Sequence, residues 1–223
     1  MSKNNNKYND NQYRNSNNVY NNNKFLSIFQ KYTFWIIICA SLLTYLALKT
    51  MADWTYLYLI EEKKINIATE LMLYNEIGGI VGTLLCGVFS TIFGRLQTAI
   101  IFSITSSFAL LIMHISSSSS LIEIKLLLFL AGLGINGPKT LIPLTTKDFI
   151  SNEFSGSISG IISLFSQLGC VVSGIGIGFL LESYGWTNYL FLLSIIILFV
   201  AILLLILHKF FTNTDKNNNK KNI

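Results

Sequence analysis

The chain has 223 residues, 52% of them hydrophobic and only 12% charged, with a net charge of +5. A soluble domain carries about 25% charged residues, so the composition excludes a soluble globular enzyme. Apolar runs recur from Thr33 almost to the C-terminus and mark a polytopic membrane protein. The positive charge is spread through the tails, which is no nucleic-acid footprint.

Residues 1–24 are nearly half asparagine. With so few apolar groups they cannot offset the entropy of ordering, so a disordered tail is expected there. A membrane domain of all-α class is expected over 25–210, with a second, basic disordered tail over 211–223. Six spans of the ~20 residues that a bilayer requires fall at Thr33–Ile60, Thr69–Phe93, Thr98–Ile115, Leu121–Pro143, Phe154–Leu181 and Trp186–Leu207. Short connections make consecutive helices antiparallel, and the even count puts both termini on one side.

On the terminal side lie five basic residues of the first tail, Arg95, Lys147, Lys209, Lys216, Lys220 and Lys221. The other side has only Lys63, Lys64 and Lys125. The excess places both termini in the cytoplasm under the positive-inside rule. Cys39, Cys86 and Cys170 all fall inside apolar runs and read as free thiols.

The first span carries Lys49 and Asp53 in ALKTMADW. An ionised side chain at a helix centre costs ~2.5–3.5 kcal/mol on insertion scales. Helical spacing puts Ser41, Tyr45, Lys49, Asp53 and Tyr56 on one stripe, expected to face the protein interior or a watery path. The plainer alternative is a Lys49–Asp53 ion pair that only neutralises itself.

In the second span Glu76 shares a face with Gly79, Thr83 and Cys86. It could pair with Lys49, serve as a proton-linked carboxylate, or bond a neighbouring helix. In the fourth span GINGPKTLIP holds Asn136, a bend at Pro138, and Lys139 near the cytoplasmic end, where it can snorkel. The pairs Gly78/Gly82, Gly156/Gly160 and Gly174/Gly178 have the spacing that lets membrane helices approach closely. His114 and His208 sit at span ends without a nucleophile or metal-ligand constellation around them. Neither an enzyme, a metal nor a cofactor is expected.

Residues 78–95, GGIVGTLLCGVFSTIFGR, resemble the loop motif of the major facilitator superfamily: Gly87, Ser90, Gly94 and Arg95 fit it, with Thr91 where an aspartate is usual. Further segments come in order: DWTYLYLIEEK, the glycine run after Glu76, Gly132 with Gly137-Pro138, and Gly185-Trp186. Together they resemble the C-terminal six helices of the organophosphate:phosphate antiporters, nearest to the glucose-6-phosphate translocase group. The resemblance implies one half of a two-half carrier, with a basic side chain from each half gripping the phosphate. It puts Lys49 beside that basic position, matches Glu76 to a family carboxylate, and gives Gly87, Ser90, Gly94 and Arg95 a gating role.

The function so implied is sugar-phosphate:phosphate antiport, for glucose 6-phosphate or a related organophosphate, in the endoplasmic reticulum or another internal membrane. Tyr45, Lys49, Asp53, Tyr56, Glu76, Asn136 and Lys139 are the candidate substrate contacts. Partners are the bilayer, the phosphorylated substrate, inorganic phosphate and a second six-helix half, with no nucleic acid. A truncated product is the leading explanation for the missing half, and a half-size protein that dimerises is the second. The alternatives are a facilitator for another organic anion, or a sugar-phosphate sensor or assembly partner that does not transport.

Overall fold

A computed structural model describes residues 32–116, 120–149 and 155–221, with backbone alone for 147–149, 184 and 211–221. These described residues form six helices: α1 (Tyr32–Glu61), α2 (Ala68–Phe93), α3 (Arg95–Ile115), α4 (Leu121–Phe149), α5 (Ser155–Tyr184) and α6 (Tyr189–Lys221). All six are long and apolar enough to cross a membrane, as the hydrophobic runs predict. From Ile36 onward the helices belong to one compact unit.

Each helix stops where the backbone chemistry allows. Gly94 (φ +88°) and Gly185 (φ +71°) take the left-handed conformation that L side chains resist, and each ends one helix just before the next. Helix α4 outruns its expected end at Pro143 by about one and a half turns. Pro138 and Pro143 withhold the N–H groups that the Gly134 and Lys139 carbonyls would accept, while Thr140 donates to the Asn136 and Gly137 carbonyls and Thr146 to that of Pro143 at 2.6 Å. The helical backbone of α6 continues through Lys221, while its membrane-length apolar part ends at Phe210. The expected tail 1–24 lies outside the described residues.

Packing follows the small residues. A Cβ at Gly78 or Gly82 would run into the Phe129 or Leu133 carbonyl, and one at Gly132 into the Asn75 backbone. Helices α2 and α4 therefore touch backbone to backbone. Gly134 and Gly137 admit Phe102 and Ser106 of α3, and Ser106 donates to the Ala131 carbonyl at 3.0 Å. On the other flank Gly169 of α5 sits against the Leu42 carbonyl of α1. Ser107 of α3 and Ser194 of α6 each donate to the other's backbone carbonyl. Exchanging α1–α3 for α4–α6 maps the α2/α4 contact onto α5/α1 and leaves α3/α6 paired, the internal two-fold of an inverted repeat.

Neither glycine pair expected on α5 brings two backbones together. Gly156, Gly160 and Gly174 have no atom within 4 Å of a built Cβ, while Gly178 meets only the Trp54 ring. Small-residue spacing identifies a narrow face, and here α5 packs Gly169 on the α1 backbone and Gly178 on the Trp54 ring and leaves Gly156, Gly160 and Gly174 open.

This yields a prediction of opposite signs. Gly82→Ala should destabilise by ~1–3 kcal/mol through overpacking. Gly160→Ala should be neutral or stabilise by up to ~1 kcal/mol through helix propensity. Thermal unfolding of the detergent-solubilised protein reads both, and equal effects would refute the assigned α2/α4 contact.

Candidate functional site

Helix α1 is oriented by hydrogen bonds on its inner side. Thr50 Oγ1 donates to Ser173 Oγ at 3.0 Å, and Trp54 Nε1 to the Ser173 carbonyl at 3.1 Å. The fully buried Tyr189 hydroxyl donates to the Thr50 carbonyl at 2.9 Å and lies 3.0 Å from Thr55 Oγ1. With Thr50, Trp54 and Thr55 committed to α5 and α6, the opposite face of α1 must point away from the bundle. Lys49, Asp53 and Tyr56 are exposed on that face and Tyr45 is half-buried.

The expected stripe loses one member. Ser41 is only 1% exposed, turned into the bundle, and its hydroxyl has no hydrogen-bond partner. Eight residues before Lys49, at about 100° per residue, it has rotated roughly 80° round the helix toward the inner side. Among the described residues, no carboxylate comes within 4.0 Å of the Lys49 ammonium. The self-neutralising Lys49–Asp53 pair is thus not formed.

Helix α2 buries Asn75, Gly78, Gly79, Gly82 and Cys86 and exposes two flanks. One is apolar, with Ile77, Leu84 and Val88; the other carries Glu76 and Thr83. That polar flank borders α4. A Cβ at Gly79 would meet the Asn136 side-chain amide, which itself donates to the Gly132 carbonyl at 2.9 Å. Cys86 Sγ lies 3.0 Å from Thr140 Oγ1. Asn136 and Lys139 are half-buried along the same edge of α4.

Helix α5 adds exposed Ser163 and Gln167 at helical spacing with the open Gly160 and Gly174. Spacing alone marks those glycines for packing and singles out neither polar residue. A lone glutamine amid an apolar span is the signal that points to this face.

Depth follows from ~1.5 Å per residue, taken from the centre of each span. Lys49, Gln167 and Asn136 lie within ~4 Å of the mid-plane, and Glu76 and Lys139 ~7–8 Å from it on opposite sides. Helices α3 and α6 contrast sharply. The large side chains they expose between their ends are apolar, such as Ile101, Phe108 and Ile112 on α3 and Phe191, Ile195 and Phe199 on α6. The bundle therefore has an apolar back for lipid and a polar front drawn from α1, α2, α4 and α5.

At the α2–α3 turn, Ser90 donates to the Gly87 carbonyl at 2.8 Å and Thr91 to that of Val88 at 2.7 Å. Arg95 Nη1 reaches the Leu144 carbonyl of α4 at 3.0 Å. Thr91, standing at the aspartate position, serves its own helix. Gly87 and Ser90 thus lie in the last two turns of α2, Gly94 ends it, and Arg95 docks the turn on α4.

Such a front bears two cations and two carboxylates without mutual ion pairs among the described residues. It can hold an anion at Lys49 and give the polar remainder of a small solute hydroxyl and amide partners. It cannot face hydrocarbon cheaply.

A family model described as Major Facilitator Superfamily matches residues 14–174 and 71–222. The probable hexose phosphate transport protein of Chlamydia pneumoniae is 28% identical over 196 residues, covering 84% of this chain and 42% of its own length. The glycerol-3-phosphate transporter of Haemophilus influenzae is 30% identical over 68% of this chain and 36% of its own length. The membrane sensor protein UhpC of Salmonella typhimurium is 25% identical over 77% and 40%. The chain thus spans about two fifths of the length of these relatives. Among solved structures, the POT family transporter PepTSo superposes with a TM-score of 0.69 at 17% identity, over 79% of this chain and 37% of its own.

Proposed function

The chain belongs to the Major Facilitator Superfamily, and from that premise we propose that its polar front is one wall of a path for phosphorylated small molecules exchanging with inorganic phosphate. The observation that carries this is Lys49, a cation near mid-span, exposed on a polar face and held by no carboxylate among the described residues. A phosphomonoester carries about −1.5 to −2 charges at neutral pH. It can leave water only where a fixed cation replaces hydration, and Lys49 supplies one.

The relatives described as hexose phosphate and glycerol-3-phosphate transporters support this substrate class. Within it, glucose 6-phosphate is the proposed organic substrate. Asp53 and Glu76 steady the lysine between substrates, while Tyr45, Tyr56, Asn136 and Lys139 line the route. One phosphate displacing another keeps the cation occupied, which makes exchange the favoured mode. The docked turn at Gly87, Ser90, Gly94 and Arg95 gates one end. A second six-helix bundle, either another copy or a separate half, forms the facing wall.

The decisive test loads proteoliposomes with inorganic phosphate and measures uptake of labelled glucose 6-phosphate. Uptake that requires internal phosphate supports exchange. Similarity to UhpC favours a second reading, a sensor that binds the ester without moving it. Saturable binding with no uptake selects that reading, and neither binding nor uptake in vesicles made from native membranes, which keep any separate half, refutes both.

The proposed orientation has the termini and Arg95 in the cytoplasm and Lys63 and Lys64 across an internal membrane such as the endoplasmic reticulum. The charge asymmetry supports it. A cysteine introduced at Lys64 in a cysteine-free background should react with an impermeant maleimide only from the lumenal side. One introduced at Gln97 should react only from the cytoplasm. Reversed labelling overturns the orientation, and labelling of both from one side overturns the six-span path.

A further inference from the structure

The α2–α3 and α5–α6 turns share one construction. Each ends a helix on a positive-φ glycine, Gly94 or Gly185, with nothing within 4 Å of a built Cβ. In each, the next residue then reaches the C-terminal end of a helix from the other triplet. Arg95 Nη1 donates to the Leu144 carbonyl near the end of α4 at 3.0 Å. Trp186 Nε1 donates to Glu61 Oε2, on the last residue of α1, at 2.8 Å.

Exchanging α1–α3 for α4–α6 converts one contact into the other. Helices α1 and α4 run antiparallel, so the two contacts sit at opposite ends of the bundle. Trp186 is further held by rings: its centroid lies 6.4 Å from Trp54, 6.3 Å from Tyr58 and 5.9 Å from Tyr189. The helices tied down in this way carry Lys49 and the Asn136–Lys139 edge. Helix α4 also holds Pro138 and Pro143 shortly before its tied end, where absent backbone donors permit bending.

We propose that Gly94–Arg95 and Gly185–Trp186 are opposed latches, each restraining the end of one path-lining helix. Releasing a latch frees the last turns of that helix to swing outward, which biases the polar front toward opening at that end. The inference rests on the reading of that front as the wall of a path. It goes further in assigning Trp186 and Glu61 a conformational task and in setting them against Arg95.

The test uses the protein in its native membrane with Cys39, Cys86 and Cys170 replaced and Gln167→Cys as reporter. Labelling rates with an impermeant maleimide are compared from the two sides, a Lys64→Cys control marking the Trp186 end. Trp186→Phe keeps the ring but loses the donor, and Glu61→Leu removes the acceptor. Each should raise reporter labelling from the Lys64 side, relative to the other side, by about fivefold, the shift that loss of one net hydrogen bond produces in a two-state equilibrium. The double variant should exceed neither single variant, because both remove the same bond. Arg95→Gln should move the ratio the opposite way.

If Trp186→Phe and Arg95→Gln leave the ratio unchanged, or shift it in the same direction, the latch proposal is overturned. If the reporter reacts from neither side in any variant, the path reading fails instead. Hydrogen exchange of residues 57–61 then decides the latch: it should quicken in Trp186→Phe and not in Arg95→Gln, and no difference overturns it.

Discussion

Lys49→Ala is expected to weaken phosphate-ester exchange by about 10–100-fold, the loss produced when a charge-assisted hydrogen bond of ~1.5–3 kcal/mol is removed. Membrane insertion should be unimpaired or improved, since the side chain lost is one the bilayer resists. Lys49→Arg should keep part of the activity, because a guanidinium still presents a cation but with a fixed planar fork. Exchange assays in proteoliposomes, with protein yield in the membrane measured alongside, read both parts. Wild-type exchange by the alanine variant would remove Lys49 from the path and leave the polar front without its anchoring cation.

The second large effect concerns what covers that front. Lys49, Asp53 and Glu76 are exposed on the bundle, and each would cost a few kcal/mol against hydrocarbon. A facing bundle, as proposed above, would restore water and supply the other wall. Cysteines introduced at Tyr45 or Tyr56 should therefore cross-link to a second six-helix bundle in native membranes. Capture of an identical chain identifies a homodimer, and capture of a different chain a separate half. A strictly single bundle that still exchanges phosphate would sink the two-wall account.

Much of this architecture is legible in the residues. Six apolar runs give six helices because a bilayer fixes the length that such a run must have. The Gly94-Arg95 turn is visible as a motif, and its positive φ explains why glycine stands there. The polar stripe is legible as a spacing, since residues three and four apart must share a face. Its inner edge is not: periodicity cannot say that Ser41 falls on the buried side of the boundary.

The glycines divide in the same way. Gly78 and Gly174 belong to pairs of equal spacing, yet one meets a carbonyl and the other open space. Spacing records which residues lie together, whereas the neighbour is decided by other helices. Thr50, Thr55 and Tyr189 are illegible for a related reason. A hydroxyl in an apolar helix can always bond its own backbone, as Thr44 does to the Ala40 carbonyl, so its cross-helix use shows only in the fold.

The pairing of helices also imposes an order on biogenesis. Helix α4, with Asn136, Pro138 and Lys139, is poorly suited to enter a bilayer alone, but its partners α2 and α3 both precede it in the chain and stand ready to receive it. Helix α1 has no such advantage. The partners that hold its inner face, at Ser173 and Tyr189, are made more than a hundred residues after Lys49. At ~5–20 residues per second, the charged helix waits roughly 6–30 s for them. During that interval the Thr50 and Thr55 hydroxyls have only their own backbone to bond, and membrane quality control has its widest opportunity to act on this protein.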